Sequence, residues 1–362
     1  MDKDKVSPPK HSRKTTATLM AILAALLFGF SAPVSKLLLV KIPPTFLAAL
    51  LYLGAGIGML MINLLRRIKT RSSLEAKLSK SDIPYVFGMI VLDILAPILL
   101  LIGLKSTTSA NASLLNNFEI VATTIIALAV FREAIGKRMW IAIILITFAS
   151  MVLSIETVAG ISFSAGSIFI LMAAVSWGFE NNFTRKLSLK DPMHVVVIKG
   201  LGAGTGALVL SFILQESATD VFYIVSALVL GLFAYGMSIY FYVSAQRELG
   251  AARTSSYYAL APFIGVLISF LVFGIELRLN FFIALAIMVV GTYLAVSEKH
   301  RHSHVHEGLV HDHRHSHDDG HHSHFHQETV EGEHTHPHTH EPQTHTHEHT
   351  PDIHHPHSHD PQ

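Results

Sequence analysis

Seven polar residues stand inside stretches otherwise apolar enough to lie in lipid: Asp93, Asn116, Asn117, Glu119, Glu180, Asn181 and Lys199. An ionisable group at mid-membrane depth costs at least about 2.5 kcal/mol on insertion scales, so such residues face a bundle interior or a solvated pathway. Glu119 and Asp93 fall near mid-depth of neighbouring runs. As a pair facing a pathway they could bind a cationic group or carry a proton. The plainer reading is a structural carboxylate held by Asn116, Asn117 or backbone that Pro97 frees. Glu180 and Lys199 lie at matched depth near the ends of two later runs, which predicts an ion pair, static or opening during turnover. Asn181 and Asn182 follow on the same helix and either line the pathway or bond across to a neighbour. His194, the one histidine within the apolar region, reads as a solvated residue at a span start.

A second constellation occupies the end of the chain. From His300 onward lie 23 of the 25 histidines, largely as alternating pairs. They include His302, His304 and His306; His311, His313, His315 and His317; His334, His336, His338 and His340; and His345, His347 and His349. Neutral imidazoles in such number bind Zn²⁺, Ni²⁺, Co²⁺ or Cu²⁺. Interleaved with Pro, Thr, Asp and Glu, the stretch cannot bury a core and is expected to be disordered. It carries 11 acids and two arginines, a charge of −9 with neutral histidines. At a pH near the ordinary histidine pKa of about 6.5, half of the imidazoles are charged and the sign reverses. A reversible regulatory tail follows, docked on basic loops when metal-free and released by metal or acid.

The elements that must position the first constellation are legible from composition. Of 362 residues 50% are hydrophobic and 15% charged, and there is no cysteine, which excludes disulfides, thiolate metal sites and cysteine nucleophiles. Ten runs of roughly 17 to 25 apolar residues each suffice to cross about 30 Å of hydrocarbon as a helix. They lie near 16–39, 45–65, 83–104, 107–131, 139–155, 163–185, 193–214, 221–245, 254–275 and 278–297. Connections are short, nothing remains for a soluble catalytic domain, and no nucleophile–base set lies at matched depth. An enzyme is therefore not expected, nor a nucleic-acid partner or a required cofactor. With the amino end in the cytoplasm, 22 of the 27 Lys and Arg residues fall on the cytoplasmic side and four opposite, so both termini are expected inside.

The chain also repeats itself. Phe28-Gly29-Phe30 in span 1 matches Trp177-Gly178-Phe179 in span 6, and the glycines of 53–58 in span 2 match those of 201–206 in span 7. The stretch from Leu114 to Glu133 matches that from Tyr257 to Glu276, with Glu119 where the copy has Pro262. Five spans per copy, an odd number, insert the second copy upside down, the ground plan of many secondary transporters. The expected organisation is a basic cytoplasmic segment (1–15), a first repeat (16–156), a second repeat (163–297) and the histidine-rich tail (298–362). The glycines four apart, Gly54/Gly58 and Gly202/Gly206, predict close helix packing. Glu133 and Glu276 are expected to be structural at span ends.

These motifs (FGFSAPVSK, WGFENNFTRK, FRE, FGIE and Pro262) resemble the drug/metabolite transporter superfamily, specifically its ten-helix EamA type, over about residues 16–297. The resemblance implies an all-α integral membrane protein of two inverted five-helix repeats, working by alternating access. It also implies a secondary-active carrier of the bacterial cytoplasmic membrane, an exporter of a small organic metabolite such as an amino acid. Two rivals stand beside it: a divalent metal ion transporter loaded by the tail, and a metal-buffering or metal-sensing membrane protein. The spans lack the histidine-rich acidic sets that metal permeation favours, and ten spans exceed what an anchor needs.

Overall fold

The computed structural model describes residues 10–69, 78–131, 136–156, 162–187, 190–249, 254, 257–274, 279–297, 300–305, 310–315, 334–339 and 344–349. Glu133, Glu276, His306, His317 and His340 lie outside the described residues. Seven helical stretches among the described residues are long and apolar enough to cross a membrane. The helices Lys137–Ser154, Ala165–Leu187 and Ala261–Phe273 complete ten passes. Around the bundle, large apolar side chains such as Phe87, Phe212, Phe222 and Leu271 stand exposed. Only a hydrocarbon solvent makes that surface favourable, and helices satisfy their own backbone there.

The passes pack as two related units. Spans 2 and 7 lie along each other, as do 4 and 9, and 5 and 10. Span 3 packs on span 6 as span 8 packs on span 1; span 4 on 6 as 9 on 1; span 2 on 8 as 7 on 3. Exchanging each span with the one five later maps every one of these contacts onto itself or onto another of them. That is the contact pattern of two five-helix repeats about a pseudo-two-fold axis, and five crossings each give them opposite orientation.

The glycine runs obey the same exchange. A Cβ on Gly54 would sit 2.1 Å from the Leu228 carbonyl oxygen of span 8. On the repeat-equivalent Gly202 it would meet Ile90 of span 3 at 2.6 Å. Between the two runs, a Cβ on Gly200 would come within 2.4 Å of the Gly56 nitrogen. Spans 2 and 7 thus touch backbone to backbone at the centre, as small residues in lipid allow.

Three spans expected to run unbroken are interrupted. Span 1 stops at Gly29 and resumes at Ser31, because the Pro33 ring crowds the carbonyl four residues back. Span 9 turns at 259–260, where Pro262 does the same. Span 4 breaks at Asn116 and Asn117 without a proline. There Asn117 N, Glu119 N and Ile120 N bond three residues back, and the Asn117 side-chain amide donates to the Leu114 carbonyl (3.3 Å). Asparagine side chains compete with the helix for its own backbone groups, which allows this tightened turn. Span 8 passes through a π-helical turn, Gly231–Met237. Span 6 carries Asn182 where span 1 has Pro33, and it runs unbroken from Ala165 to Leu187.

In the tail, where composition predicts disorder, four extended segments pair antiparallel, His300–Val305 with Thr344–His349 and Val310–His315 with His334–Thr339. Histidine at every second position has the period of a strand, and backbone hydrogen bonds supply the pairing that apolar burial cannot.

Candidate functional site

The interruptions of spans 1, 4 and 9 come together. Phe28, Gly29, Ser31, Ala32, Ser113, Asn116, Ala261 and Pro262 line one small recess. Two half-helices, Ser31–Leu38 and Ala261–Phe273, begin at its wall. Phe30 and Leu260, the residues before them, keep helical φ/ψ, so each interruption is a kink in a continuing helix. Two lining groups, Ser113 Oγ and Asn116 Oδ1, are buried without a hydrogen-bond partner among the described residues. A buried polar atom left unpaired is costly, so these are the groups a polar ligand would satisfy.

From the recess a polar chain runs inward. Ser31 Oγ lies 2.9 Å from Tyr235 Oη on the π turn of span 8. The Tyr235 ring packs on Tyr52 of span 2 with centroids 5.3 Å apart. The Tyr52 hydroxyl donates to Asp93 Oδ1 at 2.9 Å. Lys199 Nζ lies 3.2 Å from Asp93 Oδ2 and donates to Glu180 Oε1 at 2.9 Å. The Thr184 hydroxyl donates to the same Glu180 oxygen. Asp93, Glu180 and Lys199 are 0%, 2% and 6% exposed. Their spans 3, 6 and 7 are held close by the glycines that bring span 7 against spans 2 and 3.

Glu119 belongs to a neighbouring network. Its Oε1 accepts from Asn181 Nδ2 at 2.6 Å, and Asn181 also reaches Thr123 Oγ1 at 3.3 Å. Asn182 donates to the Thr123 carbonyl (3.2 Å) and to the Gly178 carbonyl (2.8 Å). Glu180 and Asn181, one residue and about 100° apart on the helix, therefore tie the two networks through span 6.

The expected Glu180–Lys199 pair is present, but it is a buried triad with Asp93 rather than a pair near a helix end. Asp93 faces Lys199 and Tyr52, not Glu119, and the partner of Glu119 is Asn181, not Asn116 or Asn117. Asn117 instead bonds to Leu114 and, at 3.4 Å, to Thr292 of span 10. His194 sits 3.6 Å from Asp191, which caps span 7 through Met193 N. Sequence reasoning missed Tyr52, Tyr235, Ser31 and Ser113. The available signal was a tyrosine buried inside an apolar run, whose hydroxyl needs a partner there.

A bundle of inverted repeats whose interrupted helices enclose a polar interior defines a membrane transporter. The profile of the EamA-like transporter family matches twice, over residues 15–155 and 164–297, and the chain belongs to that family, within the drug/metabolite transporter superfamily. It is similar to an "Uncharacterized transporter" of Methanothermobacter thermautotrophicus, 24% identical over 300 residues that cover 78% of this chain and 87% of the relative. It is also similar to the "Uncharacterized transporter YyaM" of Bacillus subtilis, 22% identical over 243 residues, 63% of this chain and 77% of that one. A solved crystal structure matches the fold with a TM-score of 0.58 at 18% identity, covering 77% of this chain and 95% of its own.

Proposed function

We propose that this transporter is a secondary-active, alternating-access exporter of a small organic metabolite bearing both a carboxylate and an amine, such as an amino acid. The observation that carries the reading is the recess at the three helix interruptions, roomy enough for about one water in this form and so required to open for a substrate, with Ser113 Oγ and Asn116 Oδ1 unpaired on its wall. Ser113 Oγ can donate to a carboxylate. Asn116 Oδ1 can accept from an amine. A divalent-metal cargo fits less well, because Lys199 Nζ already fills the place between Asp93 and Glu180 where such a cation would sit.

The Lys and Arg asymmetry supports a bacterial cytoplasmic membrane with both termini inside. The tail reads as a metal-binding regulatory appendage. In support, strand register sets His302 opposite His347, His304 opposite His345, His311 opposite His338 and His313 opposite His336.

Everted vesicles containing the full chain, offered a panel of labelled amino acids, test the reading. Uptake of at least one member is expected, and Ser113→Ala and Asn116→Ala should raise its KM. Transport of none of the panel, or an unchanged KM in both variants, contradicts the assignment.

A further inference from the structure

The ionic triad is unbalanced. Two carboxylates, Asp93 and Glu180, face one ammonium, Lys199, and all three are buried. Among the described residues, the surrounding groups do not close the balance. Span 2 contributes the Tyr52 hydroxyl, already donated to Asp93, and span 6 contributes Thr184, donated to Glu180. Span 8 contributes Tyr235, engaged with Ser31. Span 4 brings a further acid, Glu119, behind Asn181, and no cation. Desolvating an uncompensated charge is prohibitive, so a buried site with one excess negative charge acquires a cation or a proton. Asp93 Oδ2 marks the place: it is fully buried, and its one partner among the described residues is the Lys199 ammonium, 3.2 Å away and shared with Glu180.

The repeat sharpens the point. Ser31 is the sequence equivalent of Glu180, through the matched FGFSAPVSK and WGFENNFTRK motifs. It meets span 8 through a neutral pair of hydroxyls, where Glu180 bonds to the Lys199 ammonium of span 7. Of the two repeat-equivalent positions, one is therefore neutral and the other belongs to the unbalanced charge cluster. A metal or sodium ion needs volume and several oxygens, whereas the space between these carboxylates is filled by Lys199 Nζ.

We infer that the Asp93–Lys199–Glu180 triad holds one exchangeable proton and is the site at which transport is coupled to a proton gradient. The proton is shared by the two carboxylates. When the triad meets water during the cycle, that proton leaves and the freed charge is solvated; when the triad is buried again, a proton returns. The coupling half of this inference rests on the transporter reading above, and the proton-binding half does not.

Infrared difference titration of the full-length protein in nanodiscs tests the proton directly. A carboxylic-acid carbonyl band that titrates away with rising pH is expected in the wild type and in Glu119→Gln. It should be absent from both Asp93→Asn and Glu180→Gln when Glu119, the other buried acid, is Gln in the same protein, because each leaves one carboxylate balanced by Lys199. Its survival in either variant overturns the inference, since protonation would then not follow the charge count. In the unmodified protein the band should ignore added Na⁺, and its loss on adding Na⁺ overturns the assignment to a proton. In proteoliposomes, accumulation of labelled amino acids should respond to an imposed pH gradient in the wild type and lose that response in both single variants. A band that behaves as stated beside no amino-acid transport defeats only the proposed substrate. Amino-acid transport without the band defeats only the triad.

Discussion

At the scale of single residues, a side chain's depth along a span foretold that it would be buried, but not which partner it would find. Asp93, Glu119, Glu180 and Lys199 stand out in the sequence because each is expensive in lipid. Which of them meet depends on helix azimuth. A residue's direction turns by about 100° per position, so Glu180 bonds to span 7 while Asn181 bonds to span 4. Tyr52 and Tyr235 were not legible for a different reason: a tyrosine in an apolar run resembles ordinary packing until its hydroxyl partner is known. Glu119 stands in the first repeat where the second has Pro262. Glu119→Gln should abolish or re-tune transport while leaving membrane expression intact. Wild-type rates in vesicles at matched protein levels would make the Glu119–Asn181 bond merely structural.

At the scale of elements, the glycine runs were readable as packing motifs, and the structure adds what they pack against. Gly54 abuts the Leu228 carbonyl and Gly231 the Leu51 carbonyl, so both sit where backbone meets backbone and neither neighbour can move aside like a side chain. Gly54→Ala and Gly231→Ala should each destabilise the bundle by about 1–3 kcal/mol through overpacking. Thermal unfolding in detergent measures this, and wild-type melting in both would show that spans 2 and 8 do not approach so closely. The interruptions were only partly legible. Pro33 and Pro262 account for two breaks that the apolar pattern alone does not announce, yet Pro97 lies within the unbroken helix Ile83–Ser106, and the Asn116–Asn117 turn has no proline at all. Whether a helix tolerates a freed carbonyl depends on neighbours, which a single sequence does not display.

At the scale of the whole molecule, the inverted repeat follows from three motif matches and an odd span count, and the exchange symmetry of the contacts agrees with it. Orientation in the membrane rests on charge asymmetry. A cysteine introduced in 216–220 should be labelled by an impermeant maleimide from outside intact cells, and one in 132–138 should not. The reverse pattern would invert the topology. The tail's role belongs to this scale too. Removing 300–362 should leave a membrane-inserted transporter whose rate no longer responds to added Zn²⁺ or Ni²⁺, and an unchanged metal response in the truncated chain would move the metal effect into the bundle.

An alternating-access carrier with one occluded site exchanges substrate across the membrane faster than it moves it net, and counterflow measures that property without any assumption about the driving ion. Proteoliposomes of the full chain, preloaded with an unlabelled amino-acid mixture and diluted into trace labelled mixture, should accumulate label transiently above equilibrium. Vesicles loaded with buffer alone should not. Equal uptake by loaded and empty vesicles, or no uptake by either, would contradict a carrier of amino-acid-like metabolites built around the interruptions of spans 1, 4 and 9.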